Sequence, residues 1–231
     1  MSFKDGDFVK IEYTAVRTAD QHVVYTTDEK KAKENGVYYE NNKYGPQLIV
    51  VGKSNIIKGL ADEIKNMSVG EQKKVEIEAG KAFGERDSQL VRVMPISAFR
   101  ARDMEPYVGM QLDLDGTVAT VKSVNSGRVL VDANHPLAGE KLMYDVKVVS
   151  KIESDNDKVK ELAESFALKP KSAKVEGKNV VLEIGSDVDK NSEYFVNKSS
   201  FVNSLLRDMD HIEKVEIKED YVREKKSEKK E

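Results

Sequence analysis

The sequence has no cysteine, only three histidines, little excess charge of either sign and no long apolar run. Without cysteine there is no disulfide framework, no thiol nucleophile and no thiolate metal site, which fits a reducing compartment. His22, His135 and His211 stand at neither helical nor strand spacing from one another, so no histidine metal site is expected, and no cofactor. A net charge of -3 is spread along the chain and never gathers basic residues beside aromatic ones, which argues against nucleic acid as a partner. No segment approaches the roughly 18 apolar residues of a membrane span, and the polar start Met1-Ser2-Phe3-Lys4-Asp5 lacks the apolar run of a signal peptide; a cytoplasmic protein is expected.

What is present is 231 residues, 39% hydrophobic and 34% charged, a composition lean for one large core and better suited to several modest ones. Phe8 to Val16 alternates as a half-buried strand, with Val9, Ile11, Tyr13 and Ala15 on one side. A polar turn leads to an extended stretch, His22 to Thr27, that reads as its hairpin partner. Asp28 to Asn35 suits a helix. An aromatic-rich loop with Tyr38, Tyr39 and Tyr44 precedes a strand from Gln47 to Val51. Ile57, Leu60, Ala61 and Ile64 then recur at three- and four-residue intervals, giving a short helix with one apolar side. Gly70 marks a reversal, and Val75, Ile77 and Ala79 alternate as a further strand.

Three motifs in this region stand in order: Ile56-Ile57 before Gly59-Leu60, Met67 to Gly70-Glu71, and Ala82-Phe83-Gly84. With them, the chain resembles the FKBP-type peptidyl-prolyl cis-trans isomerases. A second stretch, Asn134-His135-Pro136-Leu137-Ala138-Gly139 followed by Leu142-Met143-Tyr144, is similar to the SlyD-like and archaeal long-type branch, in which an extra domain interrupts the catalytic one. The resemblance covers about residues 1 to 152. It implies an α+β protein: an FKBP-like antiparallel sheet wrapped on a short helix (1–85 with 134–152) and an inserted all-β, insert-in-flap domain (86–133). Beyond it the residues themselves read as a charged connector, Glu153 to Asp157, then a helix from Lys158 to Ala167 followed by strands and a second helix, an additional C-terminal α+β domain (153–221). The stretch 222–231, charged and without large apolar residues apart from its first, is expected to be disordered.

The activity implied is rotation about X-Pro bonds together with chaperone action on unfolded or partly folded, proline-containing polypeptides. That chemistry needs no nucleophile or metal, only a groove that favours the twisted amide and offers a few hydrogen bonds. Carried onto this sequence, the resemblance assigns catalytic positions to Tyr13, Tyr25, Ile56, Ile57, Leu60, Phe83 and Tyr144. It assigns substrate contacts to Val24, Ile49, His135 and Leu137, with Met94, Phe99 and Met110 in the insert. Two departures stand out. Phe83 replaces a tyrosine, and Val24-Tyr25 replaces a Phe-Asp pair, so a carboxylate gives way to a phenol; Asp28 is a substitute only if the loop is rebuilt. A catalytically weak chaperone or holdase, or a dimeric scaffold, is therefore the rival reading.

Gly52-Lys53-Ser54 imitates the end of a phosphate-binding loop without its first glycine, and Asp113 and Asp115 before Gly116 fit a hairpin better than a calcium loop. Between Ser192 and Met209 a predicted helix carries Phe195, Val196, Phe201, Val202, Leu205 and Leu206, more apolar surface than a thin sheet covers, which points to a homodimer through the C-terminal domain.

Overall fold

The computed structural model describes residues 2–53, 56–114, 116–185 and 188–221, so the charged stretch 222–231, Ser54 and Asp115 lie outside the described residues. Three sheets organise the chain. In the first, strand β1 (Phe8–Arg17) lies between β2 (Val23–Thr26) and β9 (Leu142–Ile152), with β3 (Gln47–Val50) pairing the start of β1 and β4 (Gln72–Ile77) pairing β9, all antiparallel. The polypeptide thus leaves this sheet after β4 and returns to its centre some sixty residues later as β9.

Helix α1 (Glu29–Glu34) begins where Asp28 accepts a hydrogen bond from the Lys31 amide, and α2 (Lys58–Lys65) lies against the first sheet. The periodicity read in the sequence is what seats α2: Leu60 and Ile64 are fully buried with Val9, Ile11, Met67, Leu142, Val146 and Val148. Gly59 has to be glycine, since a β-carbon there would meet Ile77 Cγ2 at 2.5 Å. Gly70, at φ +85, makes the turn into β4.

The excursion between β4 and β9 forms the second sheet, ordered β5 (Val91–Pro95), β8 (Arg128–Asp132), β7 (Thr117–Asn125), β6 (Gln111–Leu114). It is not purely β. After Pro95 a single helical turn, α3 (Ile96–Arg100), folds Phe99 into the sheet; proline's fixed φ, here -70°, suits the residue that opens a helix. The β6–β7 hairpin closes with Leu114 opposite Thr117, and Asp113 Oδ1 accepts from the Gly116 amide at 2.6 Å.

Where the two crossings between sheets run side by side they are bonded together. Arg86 pairs with Asp132, Asn134 and Asp87 exchange bonds of 2.8 and 2.9 Å, the Ala133 amide donates to Leu90 at 3.0 Å, and the Gly139 amide to Gly84 at 2.8 Å.

The last region comprises α4 (Asp155–Ser165), β10 (Pro170–Glu176), β11 (Asn179–Ile184), α5 (Ser192–Asp208) and β12 (Lys214–Glu219). β10 and β11 form a hairpin, and β12 joins β11 in parallel after the α5 crossover. Helix α4 starts three residues ahead of the sequence reading, because Asp155 and Asp157, read there as part of a connector, occupy the first turn, where negative charge is favoured.

This region does not keep its core to itself. Phe8, Val50 and Ile152 of the first sheet are buried together with Val159, Leu162, Leu168, Phe201 and Leu205. Lys10 pairs with Glu161 at 2.6 Å across the same junction, and Lys53 with Asp210 at 2.7 Å.

Candidate active site

Strand register brings the aromatic residues of the first sheet together. Ala15 on β1 lies opposite Tyr25 on β2 and opposite Tyr144 on β9. Its methyl group leaves room on that face, and Tyr13, two residues back and so on the same face, fills it. The Tyr13 ring stacks on Tyr25 with centroids 5.2 Å apart and leans on Tyr144 at 5.7 Å. Around them Val24, Ile56, Ile57, Ala82, Phe83 and Leu137 are half-buried against the first core, each with one side on packed residues and another toward solvent.

Burial, with the neighbouring Tyr25 and Tyr144, raises the Tyr13 hydroxyl well above its ordinary value, and burial alone pushes Tyr144 up to about 12. Burial also raises Tyr25, against a lowering by its hydrogen bond with Tyr13. All three phenols stay neutral through physiological pH. The site is therefore a cluster of aromatic and apolar side chains with uncharged hydrogen-bonding tips, and among the described residues no cluster of side chains is suited to a metal.

A 145-residue comparison decides the family: the chain is 37% identical to the short-type peptidyl-prolyl cis-trans isomerase of Methanocaldococcus jannaschii, over 63% of this chain and 91% of that protein. FKBP-type peptidyl-prolyl cis-trans isomerases called SlyD match too, from Pasteurella multocida at 27% (60% of this chain, 72% of that one) and from Escherichia coli strain K12 at 31% (51% and 62%). The chain belongs to the FKBP-type peptidyl-prolyl cis-trans isomerases. Residues 92–137 match in addition the family described as FKBP26, IF domain, a span that takes in β5 through β8.

In this FKBP-type chain, the residues singled out from the sequence outside the insert fall into three groups. Tyr13, Val24, Tyr25, Ile56, Ile57, Phe83 and Leu137 are partly buried and pack against the first core. Leu60, Ile49 and Tyr144, at 2%, 4% and 4% exposure, are members of that core. His135 is exposed and stacks on Phe83, centroids 4.2 Å apart and planes within 1°.

The insert residues stand apart from the groove. Phe99, 2% exposed, is the centre of the insert's own core with Ala119, Val121, Val129 and Val131, and Met94 and Met110 pack half-buried against it. As a contact for clients Phe99 is inaccessible, since α3 turns it inward. Among the described residues of the insert, the large apolar side chains that do face solvent are Leu90, Val93, Tyr107, Val108 and Val118. They carry no periodic signal in the sequence.

Asp28 does not stand in for a groove carboxylate, because its side chain caps α1, accepting from the Lys31 amide at 3.1 Å. Two residues join the site beyond those expected. Ala82 completes the half-buried surface, and Tyr44 is near enough to Tyr25 to add to the raising of its hydroxyl. Tyr44 stacks on Tyr38 at 5.4 Å, and the aromatic run 38–44 was the signal for both.

Proposed function

We propose that the chain isomerises X-Pro bonds of unfolded or partly folded polypeptides in the groove of Tyr13, Tyr25, Ile56, Ile57 and Phe83. The observation that carries this is the set of stacked, neutral phenols with half-buried apolar side chains around them on a packed core. Amide rotation is opposed by ~20 kcal/mol of lost resonance. The twisted amide is less charge-separated than the planar one, so an apolar wall favours it over the hydrated ground state, and a phenol hydroxyl follows the carbonyl as its character changes. Tyr25, a neutral phenol stacked on Tyr13, is the donor suited to that carbonyl.

The insert acts as the capture surface for clients. The exposed Val93, Tyr107, Val108 and Val118 on a small sheet support that reading, because tethering a bound client beside the groove raises its local concentration there. Exposed Phe195, Val196 and Leu206 on α5 support pairing with a second copy, which sedimentation at graded concentrations tests. A cytoplasmic setting rests on the cysteine-free sequence.

The test is the cis-to-trans rate of short Xaa-Pro peptides with and without the protein. Acceleration is expected; a rate equal to the uncatalysed one on several peptides overturns the enzyme reading. One observation favours a second reading, a holdase with little catalysis: position 25 holds a phenol, and the nearby Asp28 is occupied as a helix cap. Tyr25→Asp separates the two, with a modest change expected of an active enzyme and a large gain of a weak one, while suppressed aggregation without acceleration establishes the holdase.

A further inference from the structure

We propose that Lys53 is a positioning residue, through which the C-terminal region holds the groove wall at Ile56 and Ile57 in place; this rests on the groove being the prolyl site. The lysine of the stretch that imitates a phosphate-binding loop has its ammonium committed within the protein. Lys53 Nζ donates to the Arg207 carbonyl at 2.9 Å and the Asp208 carbonyl at 3.5 Å, and pairs with Asp210 Oδ1 at 2.7 Å. An ammonium has three hydrogens, and here each meets an oxygen. Two of those oxygens are carbonyls at the end of α5, where a helix runs out of amide donors and carries partial negative charge. Lys53, on the chain between β3 and α2, thus caps a helix of the C-terminal region.

The turn that carries Lys53 is gripped from the isomerase side as well. Val50 is buried in the core shared with the C-terminal region and Val51 in the first core. The Lys53 amide donates to the Val50 carbonyl at 3.1 Å and closes the turn. Gly52, at φ +76, leaves no room for a β-carbon, which would collide with the Asp5 carboxylate, and Asp5 is paired with Lys65 of α2 at 2.7 Å. Among the described residues Lys53 is the last of these fixed points before the groove. Ile56 follows three residues later, no more than about 10 Å away along an extended chain. Ile57 then opens α2, its carbonyl accepting from the Leu60 and Ala61 amides at 3.1 Å. A wall held at both ends is in place before a segment arrives, whereas a wall with one end released has to be ordered by the ligand, which weakens binding.

The experiment compares Lys53→Met, which keeps a long side chain and removes its donors, with Lys10→Met, which breaks the Lys10–Glu161 pair across the same junction but away from this loop. The readouts are kcat and KM, taken separately on an Xaa-Pro peptide, and Tm. A loss of folded protein alone lowers kcat at constant KM, whereas a displaced binding wall raises KM. For Lys53→Met a KM raised roughly threefold to tenfold is expected, with Tm within about 3 °C of the parent because a partly exposed ion pair adds little stability. Lys10→Met should keep KM within about twofold of the parent. Asp210→Ala, which leaves Lys53 its two carbonyls, should raise KM by less than Lys53→Met, and combining the two should raise it no further. A Lys53→Met enzyme with the parent's KM, a Lys10→Met enzyme with a KM raised as far, or additive effects in the double variant overturns the inference and leaves Lys53 one junction pair among others. If the parent itself accelerates nothing, the enzyme reading fails separately. The same ordering is then sought in the Kd of the peptide, and its absence there overturns the positioning role too.

Discussion

The insert and the C-terminal region are both additions to the first sheet, yet they are attached by opposite means. The insert keeps a core of its own, Phe99, Ala119, Val121, Val129 and Val131, and meets the isomerase sheet through polar bonds between two neighbouring crossings. The C-terminal region shares a core with the sheet, burying Phe8, Val50 and Ile152 to 1%, 2% and 9% exposure. Polar junctions are directional and can be opened by small changes, whereas an apolar junction is part of the fold's stability. The C-terminal region is thus a structural half of the isomerase sheet's outer face, and the insert is an appendage whose angle to the groove is set by a few side chains.

The largest effect expected follows from the shared core. Ending the chain at residue 153 uncovers Phe8, Val50 and Ile152, which costs on the order of 5 kcal/mol at 1.5–3 kcal/mol for each buried side chain. That equals the whole stability of many small domains. Chemical denaturation should show a product that is largely unfolded or aggregated. Replacing the insert between Asp87 and Ala133 by a short linker should instead leave a cooperative transition and unchanged peptide isomerisation. A truncated chain as stable as the parent would make the two attachments equivalent. Next in size is Phe99→Ala, worth about 3–5 kcal/mol where a buried phenylalanine is lost. In so small a core this should unfold the insert alone: hydrogen exchange should quicken through β5 to β8, refolding of a proline-limited protein should slow, and the rate on short peptides should hold.

Much of this architecture is legible in the sequence, and the parts that are not have physical reasons. Alternation in β1 places Val9, Ile11, Tyr13 and Ala15 on one face, and the three-and-four spacing of Leu60 and Ile64 marks the helix beneath them, because each pattern is the footprint of burial on one side. The same alternation hides the C-terminal junction: on the other face Phe8 is followed by Lys10, Glu12 and Thr14, a polar run with one apolar end. The register that buries Phe8 beside Val50 and Ile152 comes from strands far apart in sequence. Phe99 is likewise apolar whether it faces a client or a core, and only α3, a single turn after Pro95, decides between them. Within the groove the residues themselves are legible from their motifs, but the tilt of Tyr13 across the Ala15 gap, the diversion of Asp28 to a helix cap and the ring-on-ring contact of Phe83 with His135 depend on geometry that no spacing encodes.

Smaller effects belong to the polar junction. Arg86→Ala removes the charged partner of Asp132, which is 3% exposed, but Asn134 still bonds that carboxylate, so about 1–2 kcal/mol of local stability is expected to go. The global transition should barely move. The insert should instead reorient independently of the sheet, as a shorter rotational correlation time for its backbone amides in nuclear relaxation. A rigid insert in this variant would mean that the backbone bonds from Ala133 to Leu90 and from Gly139 to Gly84 suffice.

Acid gives the mildest perturbation and the one most selective between the two attachments. Burial acts to raise the Asp132 carboxyl, but hydrogen bonds from the Asn134 side chain and amide, with the charge of Arg86, outweigh it and hold the group below its usual value of 3.8. A carboxyl depressed on folding contributes stability that is present in full above its ordinary pKa and is lost as the pH falls through the depressed one. Between pH 5 and 8 the insert junction should therefore not respond. Below about pH 4 protonation of Asp132 weakens its pairing with Arg86, and the insert should loosen as it does in Arg86→Ala. The contact of Phe8, Val50 and Ile152 is apolar, and the Lys10–Glu161 and Lys53–Asp210 pairs across the same junction are partly exposed ion pairs that contribute little beside it, so amides of β1 and β3 near that junction should keep most of their protection, relative to their own exchange rates, while those of Asp87, Leu90 and Ala133 lose theirs. Equal loss at both sites would show that acid acts on the fold as a whole, and the contrast between an appended insert and an integral C-terminal region would have to rest on the truncations alone.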